Sequence, residues 1–216
     1  LYFLRALPVA DGAEAEVRLG VEAVFPPHLL VSALNGFSPG YPDVRVQIVE
    51  SVLSGTQEAL LDRQVDLAIT GRVPPGCLAE PLLSLEFVAV AGPGHPLHRL
   101  DRPLSLDDLR VHRQLVVRDS GNRLKQNAGF LLAEQRWTVS SLPMSIRLVS
   151  EGFGYAWLPL PHIQDRLADG TLKPLPMLEG ARRSESLYLV HLDRDGAGPA
   201  TRALASALLS ACAGFS

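Results

Sequence analysis

The sequence has 216 residues, of which 47% are hydrophobic and 20% are charged, and its formal net charge is −3. This length and composition predict a soluble globular protein with one large domain or two small ones. The 20 cationic residues form no basic run or stripe, which argues against a nucleic-acid-binding surface. No apolar stretch approaches the roughly 18 residues that cross a membrane. Cys77 and Cys212 lie far apart, so we expect unpaired thiols.

The first helix is predicted between two short strands. An apolar strand, VRLGV, covers 17–21. Pro26 and Pro27 follow where a helix should begin, since proline is tolerated in the first helical turn. Apolar residues then recur at helical spacing until a Pro-Gly pair at 39–40 ends the helix. Alternating residues at 44–50 form the second strand, so the abrupt end lets a short helix return the chain to the same sheet.

A second helix and a third strand complete the first set of elements. Ser54-Gly55-Thr56-Gln57 has the spacing of a capping box, and it begins a helix that is predicted to run through Arg63. The apolar segment VDLAIT at 65–70 is a strand. The order strand–helix–strand–helix–strand predicts right-handed crossovers around a parallel sheet.

A second set of alternating elements follows a long apolar strand at 85–91. We predict a capped helical turn at 105–109, a strand at 114–117, a helix at 122–135, a strand at 136–140, a helix at 142–151, a strand at 155–159, a helix at 161–170 and a short strand, LKPL. A second long apolar strand at 186–192 precedes the last helix, which begins at Pro199. The pattern predicts two α/β lobes with a cleft between them, faced by helix N-termini and by the carboxyl ends of strands.

Five stretches of the sequence resemble the effector-binding domain of LysR-type transcriptional regulators. They are VRLGVEAVFPPHLLVSALNGFSPGYPDVRVQIVE, SGTQEALLDRQVDLAIT, LEFVAVAGPGHPL, SLDDL and IRLVSEGFGYAWLPLPHIQDRLADGTLKPL. The resemblance implies an α/β fold like that of type 2 periplasmic binding proteins, with two Rossmann-like lobes joined by two crossing strands. Lobe one would comprise 17–86 and 193–216, lobe two would comprise 87–192 with the hinge strands, and 1–16 would be a linker or a vector-derived segment.

The resemblance also implies a function and partners. A small-molecule effector would bind in the cleft, with no cofactor, and the protein would act in the cytoplasm as a homodimer or homotetramer. The family's N-terminal winged helix-turn-helix is not found here, so DNA would be bound only through that absent domain, and no membrane contact is expected. A homodimer would use 28–38 and the strand near 45–49 against a lobe-two helix within 142–170. The alternative is a periplasmic solute-binding protein of a transporter, which would carry a signal peptide that we do not find.

The position of each loop in the family pattern implies which residues meet the effector. They are Glu22, Ala23, Val24, Phe25, Leu53, Thr70 and Gly71 in lobe one, and Asp119, Ser120, Ser140 and Ser141 in lobe two. Each hydroxyl could instead be a cap or turn former, and Ser141 could simply cap the helix that begins at Leu142.

The first helix suggests the charge of the effector. Pro26 and Pro27 remove two N–H donors from its N-terminus, and Glu22 adds negative charge nearby. Both effects weaken an anion site and favour a neutral or cationic effector that donates a hydrogen bond to Glu22. Any carboxylate of the ligand would then lie towards lobe two, near Ser120 and Arg123 or the helix at Ser141. Alternatively, Glu22 points to solvent or pairs with an arginine.

No catalytic motif and no metal-binding motif competes with this interpretation. The sequence lacks Gly-x-Ser-x-Gly, His-Glu-x-x-His and a Walker loop, so we expect neither an enzyme nor a metal site. His95 and His98 are predicted to lie in a solvated loop. GFG at 152–154 is expected to be a helix C-terminal glycine and a flexible link to a strand, and DRDG at 193–196 a turn.

Overall fold

The computed structural model describes residues 14–123 and 133–215, which form two compact units. Unit 1 comprises the described parts of 1–51, 56–83 and 187–216, and unit 2 those of 52–55 and 84–186. The predicted lobe boundaries, 86/87 and 192/193, stay a prediction. Most of the helix predicted at 122–135, and most of the segment 1–16, lie outside the described residues.

Strands and helices alternate through most of the chain. The first half contains β1 (Glu16–Glu22), α1 (Pro27–Phe37), β2 (Arg45–Ser51), α2 (Ser54–Leu61), β3 (Leu67–Thr70) and β4 (Leu78–Ala91). The second half contains α3 (Leu106–Arg110), β5 (Gln114–Val117), β6 (Arg136–Val139), α4 (Leu142–Ser150), β7 (Tyr155–Pro159), α5 (Gln164–Ala168), β8 (Lys173–Pro174), β9 (Arg182–His191) and α6 (Pro199–Cys212). Short 3-10 helices cover Pro96–Arg99 and Leu160–His162.

The sheet of unit 1 has the strand order β2-β1-β3-β9. β1 runs parallel to β2 and to β3, which confirms the parallel sheet predicted for the first 70 residues, and β9 is antiparallel to β3. The buried residues of this sheet include Val17, Leu19 and Leu67. α1 buries Leu29, Ala33 and Phe37 and packs against α6, so the last helix lies in the same unit as the first.

Unit 2 is built on the strand order β4-β7-β5-β6, with β8 on β4. β7 is antiparallel to β4 and parallel to β5, and β6 is parallel to β5. One apolar cluster contains Ala89, Ala91, Leu97, Leu104, Leu109, Tyr155, Trp157 and Leu175. The helix predicted at 161–170 is wrong in extent, because Ile163 has a φ of −127° and is fully buried, which separates a 3-10 turn from the short α5.

β4 and β9 are longer than their apolar runs predict, and each passes from one unit into the other. The prediction omits 78–84 because that part of β4 contains Pro81 and has exposed positions. Proline usually marks an edge strand or the end of a strand. The first five residues of β9 are polar or charged, which hides a strand from a search for apolar runs.

α2 ends at Leu61, two residues before the predicted end. Arg63 adopts a φ of 56°, its N–H donates to the carbonyl of Leu60, and the N–H of Gln64 donates to the carbonyl of Ala59. These two bonds satisfy the last carbonyls of the helix in a Schellman arrangement. The apolar pattern continues past the helix because Val65 is a core residue of the next segment.

The prediction of a solvated loop at 95–98 is wrong for His95, which is only 5% exposed. Its Nδ1 accepts the N–H of Leu97 at 3.2 Å, and its ring meets His112 edge-on at 5.1 Å between centroids. Burial, together with the neighbouring His112 and His98, lowers the pKa of His95 to about 4. In the part of the chain that the structure describes, no three His, Cys, Asp or Glu side chains are grouped as metal ligands.

Three smaller predictions are confirmed. Gly152 follows α4 with a φ of +84°, as a C-terminal glycine does. The N–H of Gly196 donates to Asp193 Oδ1 at 2.9 Å and closes the predicted turn. Cys77 and Cys212 are free thiols.

Among the described residues, no helix is long and apolar enough to cross a bilayer.

Candidate functional site

Glu22 is buried at the end of β1 and holds two loops of unit 1 together. Its Oε2 accepts the N–H of Gly71 at 2.8 Å, and its carbonyl accepts the N–H of Phe25 at 2.8 Å. The side chain is 6% exposed, so the alternative that it points to solvent is wrong. A carboxylate that accepts a backbone N–H in a buried setting also fixes the shape of the loop that donates it.

The predicted lobe-one contacts meet because β1 and β3 are parallel neighbours. The register pairs Val21 with Ile69, so both strands end at the same edge of the sheet. Thr70 is 1% exposed, and its Oγ1 accepts the N–H of Arg72 at 3.3 Å. Of the other predicted contacts in the turn after β1, Ala23 and Phe25 are buried and Val24 is half-buried.

The N-terminus of α1 lacks donors that most helices have. Pro26 is the N-cap residue and Pro27 the first helical residue, so neither position has an N–H. The carbonyl of Pro26 accepts the N–H groups of Leu29 and Leu30, at 3.1 and 3.4 Å. The predicted loss of two donors at this end is therefore confirmed.

Segment 52–55, which belongs to unit 2, is bonded to the loop that follows β5. The Oγ of Ser120 accepts the N–H of Val52 at 2.9 Å, and its hydroxyl donates to the carbonyl of Val52 at 3.1 Å. Leu53 has a φ of 53°, in the left-handed region that residues other than glycine rarely adopt. These bonds hold the strained residue in place.

Asp119 joins this loop to the start of α2 through hydrogen bonds. Its Oδ2 accepts the hydroxyl of Ser54 at 2.7 Å, while its Oδ1 accepts the N–H groups of Ser54 and Gly121, at 3.1 and 2.8 Å. Ser54 is fully buried and is the first residue of α2, so the predicted capping box is wrong. The Ser54 hydroxyl donates to a carboxylate 65 residues away instead of accepting from its own helix.

Ser140 and Ser141 follow β6, the strand beside β5. The register pairs Val117 with Val139, which puts the ends of these two strands side by side. The Oγ of Ser141 accepts the N–H of Met144 at 3.4 Å, so the predicted alternative of an N-cap is confirmed. Ser140 is exposed.

The structure thus forms two local groups from the predicted contacts. Glu22, Thr70 and Gly71 come together in unit 1, and Leu53, Asp119 and Ser120 in unit 2. Sequence analysis missed Ser54, which joins the second group. Its helix-cap spacing was the only local signal, and that spacing indicated a different bond.

Comparison with known proteins identifies the family of this chain. Residues 10–213 match the family model described as LysR substrate binding domain. The sequence is 29% identical over 173 residues to the "Uncharacterized HTH-type transcriptional regulator YeeY" of Escherichia coli K12, which covers 78% of this chain and 56% of that protein. The chain therefore spans little more than half the length of this curated relative.

Two solved structures share the fold. The regulatory domain of Synechocystis PCC6803 CcmR, in complex with 2-PG, has a TM-score of 0.74 and 16% identity, over 94% of this chain and 99% of that one. Full-length LysG of Corynebacterium glutamicum, with bound effector Arg, has a TM-score of 0.69 and 16% identity, over 91% of this chain and 68% of that one. At such identities the similarity is one of fold alone.

Proposed function

Because this chain belongs to the LysR substrate-binding domain family, we propose that it senses a small-molecule effector and passes the signal to the DNA-binding domain of a transcriptional regulator. The match over 10–213 carries this proposal. The CcmR domain and LysG support it, since each holds a small molecule on the same fold. DNA would be bound by a part of the regulator outside this sequence, in the cytoplasm. The relatives are transcriptional regulators, which favours neither an enzyme nor a transporter's solute-binding protein.

The proposed effector contacts are the residues implied by the family pattern. They are Glu22, Ala23, Val24, Phe25, Leu53, Thr70, Gly71, Asp119, Ser120, Ser140 and Ser141. The bonds around Glu22 and around Asp119 support the proposal, because each carboxylate organises a loop at the carboxyl end of a strand. Loops in that position are the usual binding elements of α/β folds.

A small-molecule screen tests the function. Thermal shift on this domain should find compounds that raise Tm, and calorimetry should confirm them. The same compounds should change binding of the full-length regulator to its operator. If no compound that binds the domain alters operator binding, the proposed function is wrong.

Glu22→Gln tests the contact residue. We expect affinity for the effector to fall at least tenfold, because glutamine keeps an oxygen that accepts the N–H of Gly71 but removes the charge. Without effector, Tm should stay within about 2 °C of wild type. Glu151→Gln, at an exposed position after α4, is the matched control and should leave affinity unchanged. Equal affinity in wild type and Glu22→Gln would remove Glu22 from the site.

The proposed oligomer is a homodimer, or a homotetramer in the full-length regulator, formed through α1 and β2 against a unit 2 helix. Val31 on α1 is 56% exposed, Ile48 on β2 is 41% exposed and Met144 on α4 is 50% exposed. These exposed apolar side chains lie on the elements of the proposed interface and support it. A specific interface should exceed about 1,000 Å² in total.

Val31→Asp should weaken the dimer at least tenfold, because a carboxylate placed in an apolar contact loses its hydration. Sedimentation equilibrium over a range of protein concentrations measures the change. Leu178→Asp is the control, since Leu178 is 67% exposed on unit 2 outside the proposed interface. A wild-type protein that stays monomeric at high concentration would contradict the proposed dimer.

A further inference from the structure

Arg183 lies against two aromatic rings of unit 2. Its Cζ is 5.4 Å from the centroid of the Phe87 ring and 5.7 Å from that of the Trp157 ring. β9, β4 and β7 are neighbouring strands, and the register pairs Ala89 with Trp157, so Phe87 and Trp157 share one face of the sheet. The guanidinium therefore lies over this face as a cation over aromatic rings.

Trp157 is fixed in this arrangement by a hydrogen bond of its own. Its Nε1 donates to the carbonyl of Gly180 at 2.8 Å, and its ring meets Tyr155 edge-on at 5.8 Å between centroids. Trp157 is buried, whereas Phe87 and Arg183 are half-buried. A ring that is held in this way forms a rigid wall, and half-burial leaves part of Phe87 and of Arg183 open to a small ligand.

The positive charge of Arg183 has no hydrogen-bonded counter-ion within 14–123 and 133–215. Its Nε is buried without a hydrogen-bond partner, and no ion pair joins its guanidinium to a carboxylate of those residues. Burial is the main influence on the pKa of Arg183 and lowers it, whereas the charge of Glu185, two residues along β9, raises it. Buried polar groups nearly always have a partner, and a buried charge without one destabilises a fold.

Two other arginines of unit 2 do have polar partners. Arg182, the preceding residue of β9, donates from Nη1 to Oε1 of Glu86 at 2.6 Å. Arg113, which also stacks on a tryptophan, donates from Nη1 to the carbonyl of Phe153 at 3.3 Å. In the part of the chain that the structure describes, Arg183 makes no such bond, which points to a partner from outside the chain.

We propose that Arg183 binds the carboxylate of a small organic acid, whose apolar part packs on Phe87. A guanidinium presents two parallel N–H donors that match the two oxygens of a carboxylate, and apolar surroundings strengthen the pair. One guanidinium neutralises one negative charge, and Glu185 repels a second, so a monocarboxylate fits better than a dianionic phosphate. None of these residues is among the eleven proposed effector contacts, so this site goes beyond the proposed function.

Butyrate is the probe for this site, and the fluorescence of Trp157 is the readout. Trp137→Phe provides the parent protein, in which Trp157 is the only tryptophan. Sodium butyrate should change the emission of Trp157 in a saturable way, with an apparent Kd of about 10 mM or lower. Sodium chloride at equal ionic strength, sodium phosphate and the uncharged analogue butyramide should not. Acetate should bind at least threefold more weakly than butyrate, because it lacks two methylene groups. A parent that does not respond to butyrate, or that responds equally to butyramide, would overturn the proposal.

Arg183→Met in this parent replaces the guanidinium with an apolar side chain. The apparent Kd for butyrate should rise at least tenfold. Without ligand, Tm should stay within about 2 °C of the parent or rise, because the substitution removes a charge that has no partner. Arg182→Met is the matched control, since it removes the neighbouring cation of the same strand, and its Kd should stay within twofold of the parent. An unchanged Kd for Arg183→Met, or a larger fall in Tm, would contradict a binding role for Arg183.

Arg183→Lys covers the case in which Arg183→Met does not fold. Lysine keeps the positive charge but has no planar pair of N–H donors, so the variant should fold and its Kd for butyrate should rise at least threefold. Affinity equal to that of the parent would overturn the proposal. These measurements use neither the effector nor operator DNA, so failure of this inference is distinguishable from failure of the proposed function.

Discussion

Gly154→Ala should lower the free energy of unfolding by about 3–4 kcal/mol. Gly154 leads into β7, and a Cβ built there overlaps the carbonyl oxygen of Arg113 and lies 2.6 Å from Cδ2 of Leu115. β7 cannot move away from Arg113 without breaking a hydrogen bond, because the same carbonyl accepts the N–H of Tyr155 at 3.0 Å. Urea denaturation followed by circular dichroism measures the change.

Two other glycines of unit 2 separate the effect of close approach from other effects of a glycine-to-alanine substitution. A Cβ at Gly94 meets no atom within 4 Å, so Gly94→Ala should change stability by less than about 0.5 kcal/mol. Gly152 also has open space but a φ of +84°, so Gly152→Ala should cost about 1–2 kcal/mol from backbone strain alone. If Gly154→Ala lowers the free energy of unfolding by no more than Gly152→Ala does, that result would contradict the close approach of β7 to Arg113.

Acid should destabilise unit 2 through His95 by about 2 kcal/mol between pH 7 and pH 5. The pKa of His95 is lowered to about 4 from 6.5, chiefly by burial and then by His112 and His98. The unfolded chain therefore takes up a proton near pH 6.5, whereas the folded chain does so only near pH 4. The contribution of the buried, neutral His95 to the free energy of unfolding is therefore present above about pH 6.5 and is lost as the pH falls towards 4.

His95→Asn isolates this effect. The Oδ1 of asparagine can replace Nδ1 as the acceptor for the N–H of Leu97, but it does not titrate. The pKa values of His98 and His191 are also lowered, mainly by burial, so wild type and variant share those contributions. Urea denaturation at pH 7 and pH 5 should show a smaller loss of stability on acidification in His95→Asn than in wild type. Equal acid loss in wild type and His95→Asn would contradict a buried, neutral His95.

The α/β fold class, like that of type 2 periplasmic binding proteins, and the membership of the LysR family are confirmed by the family match and the structural neighbours. The individual effector contacts and the lobe boundaries stay predictions. The structure shows how Glu22 and Asp119 are each bonded to a loop of their own unit.

The sequence by itself determined the elements whose signals are local. Apolar spacing, prolines at helix starts and glycines at helix ends act over a few residues, which is why β7 at Tyr155–Pro159 and α4 from Leu142 lie where they were predicted. The alternation of strands and helices likewise predicted that β1 would lie parallel to β2 and β3.

Only the tertiary structure decided which partners the polar side chains take. Glu22 bonds Gly71, 49 residues away, and Ser54 bonds Asp119, 65 residues away. His95 is buried against His112, although its local sequence is that of a loop. Spacing rules describe one helix or strand, whereas a buried polar group takes whichever partner the folded chain brings within about 3 Å. Strand pairing and packing therefore decide which acceptor each of these donors meets, and a local sequence pattern does not encode them.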